Sequence, residues 1–159
     1  MEKEFTGLIN QHKGIIYKVC QLYCNDSEDR KDLFQEIVIQ LWKAYTNFRG
    51  EAKISTWIYK IALNTALSNL KIEGKKKFIR TISDHELEIP AMEITENENL
   101  KSLYQAIQQL TEIEKAIIML YLDDKTYEEI TEIVGISKTN VGVKLNRIKL
   151  KLSKIIKTN

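Results

Sequence analysis

Wherever apolar residues cluster in this chain they recur at intervals of three and four, and in no segment do they alternate with polar ones as a half-buried strand requires. That period confines the chain to an all-α fold. Phe5, Leu8, Ile9, His12, Ile15, Ile16, Val19, Leu22 and Tyr23 predict an amphipathic helix over residues 4 to 24. Asn25 to Asp29 reads as a turn whose Ser27 and acids suit the next helix start. There Leu33, Phe34, Ile37, Val38, Leu41, Trp42 and Tyr45 carry the period to Thr46. Asn47 to Lys53 contains Gly50 and breaks it, and Ser55 can cap a third helix bearing Ile58, Ile61, Ala62, Ala66 and Leu70. Residues 1 to 72 therefore form a first domain of three helices.

Residues 73 to 97 hold a glycine, the only proline (Pro90), a basic run and then an acidic one, without sustained period, and read as a flexible linker. The helical signal returns in the second domain, 98 to 159, with Leu103, Ile107 and Leu110. A TxxE box follows at Thr111 to Glu114, ahead of the apolar run Ile117, Ile118, Leu120, Tyr121 and Leu122. A second box, Thr126 to Glu129, starts a short helix at Tyr127, because threonine hydroxyl and glutamate carboxylate each satisfy an orphaned backbone donor. Gly135 can end that helix in the left-handed conformation and Ser137 can cap the next, leaving a turn of about three residues. Ile130, Ile133, Val134, Ile136, Val141, Leu145 and Ile148 fall where they would bury one side of both helices.

The opposite side carries Lys138, Thr139, Asn140, Lys144 and Arg147, with Lys149, Lys151, Lys154 and Lys157 beyond. From Ile133 to Asn159 there are seven lysines or arginines and no acid. A helix-turn-helix with one cationic face suits the major groove of DNA: amides and hydroxyls read base edges, cations hold phosphates. An ordinary helical hairpin with solvated lysines is the bland alternative.

Net charge is only +2, so basic character is segregated along the chain. Residues 71 to 80 hold five lysines or arginines, and residues 84 to 98 hold six acids and neither base. No stretch reaches the apolar length of a membrane span and the opening MEKEF is unlike a signal peptide, so a cytoplasmic location without membrane insertion is expected. Cys20 and Cys24, four apart within a helical pattern, are expected as reduced thiols. With His12 they lack a fourth metal ligand, and small apolar packing is the better reading of both. No metal, cofactor or catalytic constellation is expected: neither histidine sits in a nucleophile arrangement and no glycine-rich phosphate loop occurs.

The stretch DLFQEIVIQLWKAYTNFRGEAKISTWIYKIALNTALSNLK, Asp32 to Lys71, resembles domain two of bacterial RNA polymerase sigma factors of the extracytoplasmic function (ECF) group. At the other end, LTEIEKAIIMLYLDDKTYEEITEIVGISKTNVGVKLNRIKLKL is similar to sigma domain four. Together they cover most of the chain. The resemblance implies a transcription initiation factor whose partners are core RNA polymerase and promoter DNA. Many such factors are also held inactive by an anti-sigma factor, though no residue of this chain identifies one. Asp32, Gln35 and Glu36 would face the polymerase clamp.

Promoter opening requires cations for phosphates, an aromatic for stacking and a pocket for a base taken out of the duplex. By resemblance, Phe48, Arg49, Lys53, Ser55, Thr56, Trp57, Tyr59, Lys60 and Asn64 would supply these at the minus-ten element. Phe48 and Trp57 have an equal claim to be core. At the minus-thirty-five element Ser137 to Arg147 would lie on the duplex, with Lys138, Asn140 and Lys144 near base edges and Thr139, Arg147 and Lys149 on phosphates. Gly142 departs from the longer, often basic residue common in the family and costs up to about 1 kcal/mol of helix propensity. The rival assignment, a stand-alone helix-turn-helix regulator, leaves the DLFQE and STW segments without a role.

Overall fold

A computed structural model of the protein describes residues 1–83 and 98–158, with backbone alone for 71–83 and 158. The chain divides into two compact units, Met1–Met92 and Glu93–Asn159. Every regular element among the described residues is a helix.

In the first unit α1 (Glu2–Tyr23), α2 (Ser27–Tyr45) and α3 (Ile54–Ser83) each pack against the other two. The Asp26 carboxylate accepts the amide of Asp29 at 2.6 Å and starts α2. Ile16 and Val19 from α1, Ile37 and Leu41 from α2, and Ile58, Tyr59 and Ala62 from α3 are fully buried and form the centre of the core. Gly50, with φ of 75°, takes the loop between α2 and α3 through the left-handed region that glycine tolerates.

Two expectations need correcting here. Ser55 does not cap α3: the helix already begins at Ile54, with the Trp57 amide bonded to the Lys53 carbonyl at 3.0 Å, so Ser55 lies inside the first turn. Nor does the helix stop at residue 72. It runs on through Gly74 to Ser83, so the first part of the expected linker is helical, and residues 84–97 lie outside the described residues. One glycine costs only about 1 kcal/mol of helix propensity, and the lysines around it are good helix formers. The missing apolar period did not mark the end of the helix.

In the second unit α4 (Glu98–Gln108), α5 (Glu112–Leu122) and α6 (Tyr127–Val134) all pack on α7 (Lys138–Thr158). Both capping boxes form, with Thr111 paired to Glu114 and Thr126 to Glu129 in both directions. Gly135 ends α6 at φ 84°, and the Ser137 hydroxyl accepts the Asn140 amide at 3.2 Å. Ile117, Leu120, Ile130, Val141 and Leu145 are fully buried, whereas Val134 and Ile136 at the turn are only half-buried.

Both thiols are free. Burial, followed by the neighbouring Cys24, pushes the Cys20 thiol up to about 12, so almost none of it is thiolate at neutral pH. Native protein treated with a disulfide reagent at pH 8 should therefore label at the half-buried Cys24 well before Cys20, and at both when unfolded. Leu41→Ala, at the centre of the first core, should lower stability by about 2–5 kcal/mol in urea unfolding followed by far-ultraviolet circular dichroism.

Candidate functional site

Because Leu33, Ile37 and Leu41 face the first core, helical geometry turns a different set of α2 residues outward. Asp32 and Gln35 are exposed, and Glu36 is half-buried with its carboxylate accepting the Gln40 amide at 2.9 Å. The same strip continues to Ile39, 46% exposed, and Trp42, 41% exposed. At about 100° per residue these five positions span roughly 120° of the helix surface. Sequence reading placed Trp42 with the core and gave Ile39 no role. The correction is one of register: Trp42 lies about 100° or more from Leu33, Ile37 and Leu41, and its ring packs instead beside Phe5 at 4.9 Å and Tyr45 at 6.4 Å.

The loop leaving α2 is held by rings. Phe48 packs on Trp57 at 4.6 Å, Trp57 lies 6.5 Å from Tyr45, and Tyr45 lies 5.3 Å from Phe5. Phe48 and Trp57 are each half-buried, so each contributes to packing while keeping part of its surface exposed. Arg49, Lys53, Lys60 and Asn64 are exposed around them, and Ser55 is half-buried. Tyr59 is fully buried and Thr56 is 2% exposed. Neither belongs to a DNA surface in this structure, which corrects their assignment to the minus-ten set. Helical spacing puts Thr56, Tyr59, Ala62, Leu63 and Ala66 on the inward face of α3 and leaves Lys60 and Asn64 outside.

In the second unit the three-residue turn Gly135 to Ser137 presents the start of α7. Ser137, Lys138, Thr139, Asn140, Arg147 and Lys149 are exposed and Lys144 is half-buried. Lys138 is ion-paired with Glu128 of α6 at 2.5 Å, and this hydrogen-bonded ammonium holds the Glu128 carboxyl below the usual carboxylate range. Lys149 donates to the Tyr121 hydroxyl at 3.1 Å with its ammonium 4.3 Å from the ring centre, and Lys151 pairs with Glu114 at 2.7 Å. Of the cations expected at the minus-thirty-five element, Lys138 and Lys149 thus have partners inside the unit. At Gly142 an added Cβ would meet the Tyr127 ring at 3.6 Å, an ordinary contact, so a larger residue would begin against α6.

Among the described residues no three histidine, cysteine or acidic side chains group as metal ligands, and no helix is long and apolar enough to cross a membrane.

Comparison with known proteins matches a segment in each of the two units. Residues 8–75 match the sigma-70 region 2 model and residues 100–152 the sigma-70 region 4 model. The chain is 30% identical over 148 residues to the RNA polymerase sigma factor SigV of Bacillus subtilis, covering 92% of this chain and 87% of that one. It is also 30% identical to the ECF RNA polymerase sigma-E factor of Escherichia coli K12, over 84% of this chain and 76% of the other. Among solved structures, the sigma factor RpoE of Bartonella quintana in complex with the anti-sigma factor NepR shares the fold at a TM-score of 0.79 and 16% identity, over 99% of each chain. CnrH in complex with the cytosolic domain of CnrY shares it at 0.71 and 15%, over 100% of this chain and 91% of that one. Both sigma-70 regions occur in order, and the likeness to SigV is sustained over most of its length; the chain belongs to the ECF sigma factors of RNA polymerase, a family of non-enzymatic transcription initiation factors.

Proposed function

We propose that the two units divide promoter recognition between them, residues 1–72 acting as sigma domain two and residues 98–159 as domain four. The reading is carried by one observation: α2 has a buried stripe on one side and, on the other, an exposed strip that combines Asp32, Gln35 and Glu36 with Ile39 and Trp42. A strip that joins acids and an amide at one end to exposed apolar residues at the other suits a protein partner, and the partner here is the clamp of core RNA polymerase. Trp42 is the anchor of that contact, because it is large, rigid and already held at one edge by Phe5.

With the polymerase in place, the open faces of Phe48 and Trp57 receive an unpaired minus-ten base. Arg49, Lys53 and Lys60 hold phosphates, and Ser55 and Asn64 bond the base or sugar. Lys138, Asn140 and Lys144 lie at or near base edges of the minus-thirty-five duplex, with Ser137, Thr139, Arg147 and Lys149 toward its backbone. Lys138 and Lys149 must leave Glu128 and Tyr121 to do so. Surface pairs of this kind are weak and screened by salt, so several phosphate contacts outweigh them. Each DNA face is small, and neither holds a promoter tightly without the polymerase that links them.

The factor acts in the cytoplasm, where polymerase and promoter are, and has no catalysis of its own. An anti-sigma protein lying over the α2 strip would exclude the polymerase clamp; both solved neighbours are complexes, one with an anti-sigma factor and one with a cytosolic domain. A stand-alone helix-turn-helix regulator is not favoured, because it leaves the region 2 match and the α2 strip without use.

Run-off transcription with core polymerase tests the division of labour. Asn64→Ala should lose strand opening more than closed-complex formation, and Lys144→Ala should weaken recognition of the minus-thirty-five element while opening at a pre-melted template persists. Unchanged activity in both would reject the residue roles. Trp42→Ala should weaken binding to core polymerase without DNA by tenfold or more, roughly the 1–2 kcal/mol of a moderate anchor, with the circular dichroism spectrum unchanged.

A further inference from the structure

One exposed apolar residue of the second unit has no part in the reading above. Along α7, Val141, Leu145, Ile148 and Leu152 are buried and define the side that faces the unit's core. At about 100° per residue, Val143 and Leu150 lie within about 10° of the opposite direction, flanked by Thr139, Asn146 and Arg147 at roughly 30 to 50°. Val143 is 41% exposed and falls in the second turn of α7, close behind Lys138 to Asn140. That is the part of a recognition helix that reaches base edges. Leu150, though 64% exposed, lies about 10 Å further along the axis, past that part. A lone exposed valine is ordinary on a protein surface. Here it stands at the centre of the face offered to DNA, and its two γ-methyl groups carry no donor, acceptor or charge for water, phosphate or a polar base edge.

We propose that Val143 is a specificity-determining residue that reads a thymine of the minus-thirty-five element, its γ-methyl groups packing on the thymine 5-methyl in the major groove. The proposal deepens the minus-thirty-five reading of α7 and rests on it. Thymine is the base chosen because its 5-methyl is the only methyl group that any of the four bases presents to the major groove. Contact there takes apolar surface of both partners out of water, whereas a polar edge covered by valine would lose its hydration and gain no hydrogen bond. Valine suits the task because β-branching leaves one strongly preferred χ1 in a helix, so its methyl groups are fixed before contact and little freedom is lost on binding. The neighbouring amides and cations read polar edges and hold phosphates, so the methyl contact adds a base preference that charge alone would not give.

Binding of the holoenzyme to promoter duplex tests this. The holoenzyme first selects minus-thirty-five sequences from a pool randomised there, and each thymine of the selected element is then replaced singly by deoxyuridine, which pairs alike but lacks the methyl. With the unaltered chain, one position should lose about fourfold in affinity, or about 0.8 kcal/mol, the transfer value of one methyl-sized group. Val143→Ala should bind the thymine and deoxyuridine duplexes equally, since either change removes the same contact. Leu150→Ala, equally outward but further along α7, should keep the fourfold preference. Val143 is exposed, so Val143→Ala should retain the circular dichroism spectrum and the affinity for core polymerase without DNA. A selected element with no methyl-sensitive thymine, or the same sensitivity in Val143→Ala, overturns the proposal and leaves the minus-thirty-five reading standing. Loss of the preference in Leu150→Ala, or of core affinity in Val143→Ala, overturns it as well, the second by showing a polymerase contact. Enrichment of no upstream sequence at all would sink the minus-thirty-five reading and the proposal with it.

Discussion

The buried stripe of Leu33, Ile37 and Leu41 on α2 decides what the first unit can offer a partner. Once those side chains are committed to the core with Ile16, Val19 and Ile58, a rigid helix leaves no freedom in what faces outward. Asp32, Gln35, Ile39 and Trp42 are exposed because their neighbours are not. Burial of the stripe stabilises the bundle, and the same burial fixes which α2 residues face outward. A one-residue shift in helical register would turn the acids inward, where an unpaired carboxylate is costly, so stability and recognition are specified together.

The second unit applies the same constraint with smaller parts. Its α6 is only eight residues long and too short to stand alone, and it is held by a reciprocal capping box, a left-handed glycine and packing of Ile130 and Ile133 on α7. Those local devices set the angle at which Lys138 to Asn140 emerge. They also bring Glu128 beside Lys138, so the cation proposed to meet DNA is paired within the unit in the free protein. Close ion pairs of this kind favour contact with many phosphates at once over contact with one, which suits a reader that works only when a larger machine holds it on a promoter.

The aromatic path from Phe48 through Trp57 and Tyr45 to Phe5, with Trp42 at its edge, joins the two ends of the first unit's working surface. A loop that must receive an unpaired base cannot bury its backbone, so its position depends on side chains packed behind it. Phe48 and Trp57 are half-buried, packed against each other and still partly exposed. That sharing is why sequence patterns alone could assign them to core or to DNA with equal justice.

Helix number, the capping boxes, the turn at Gly135 and the two separate cores were legible in the sequence, because each follows from a local rule: apolar period, cap chemistry, or the unique tolerance of glycine for positive φ. The family was legible too, since its motifs are contiguous. What the sequence could not decide was the orientation of residues that suit either side of a helix. Tyr59 and Thr56 turned inward, Trp42 and Ile39 turned outward, and α3 ran on to Ser83 past a glycine and a charged run that read as a break. In each case the outcome depended on which neighbouring helix supplied a surface to pack against or left one open. That is a property of the three-dimensional arrangement, because the free energy of burying a tyrosine or exposing a tryptophan is set by what lies across from it and not by the residue itself.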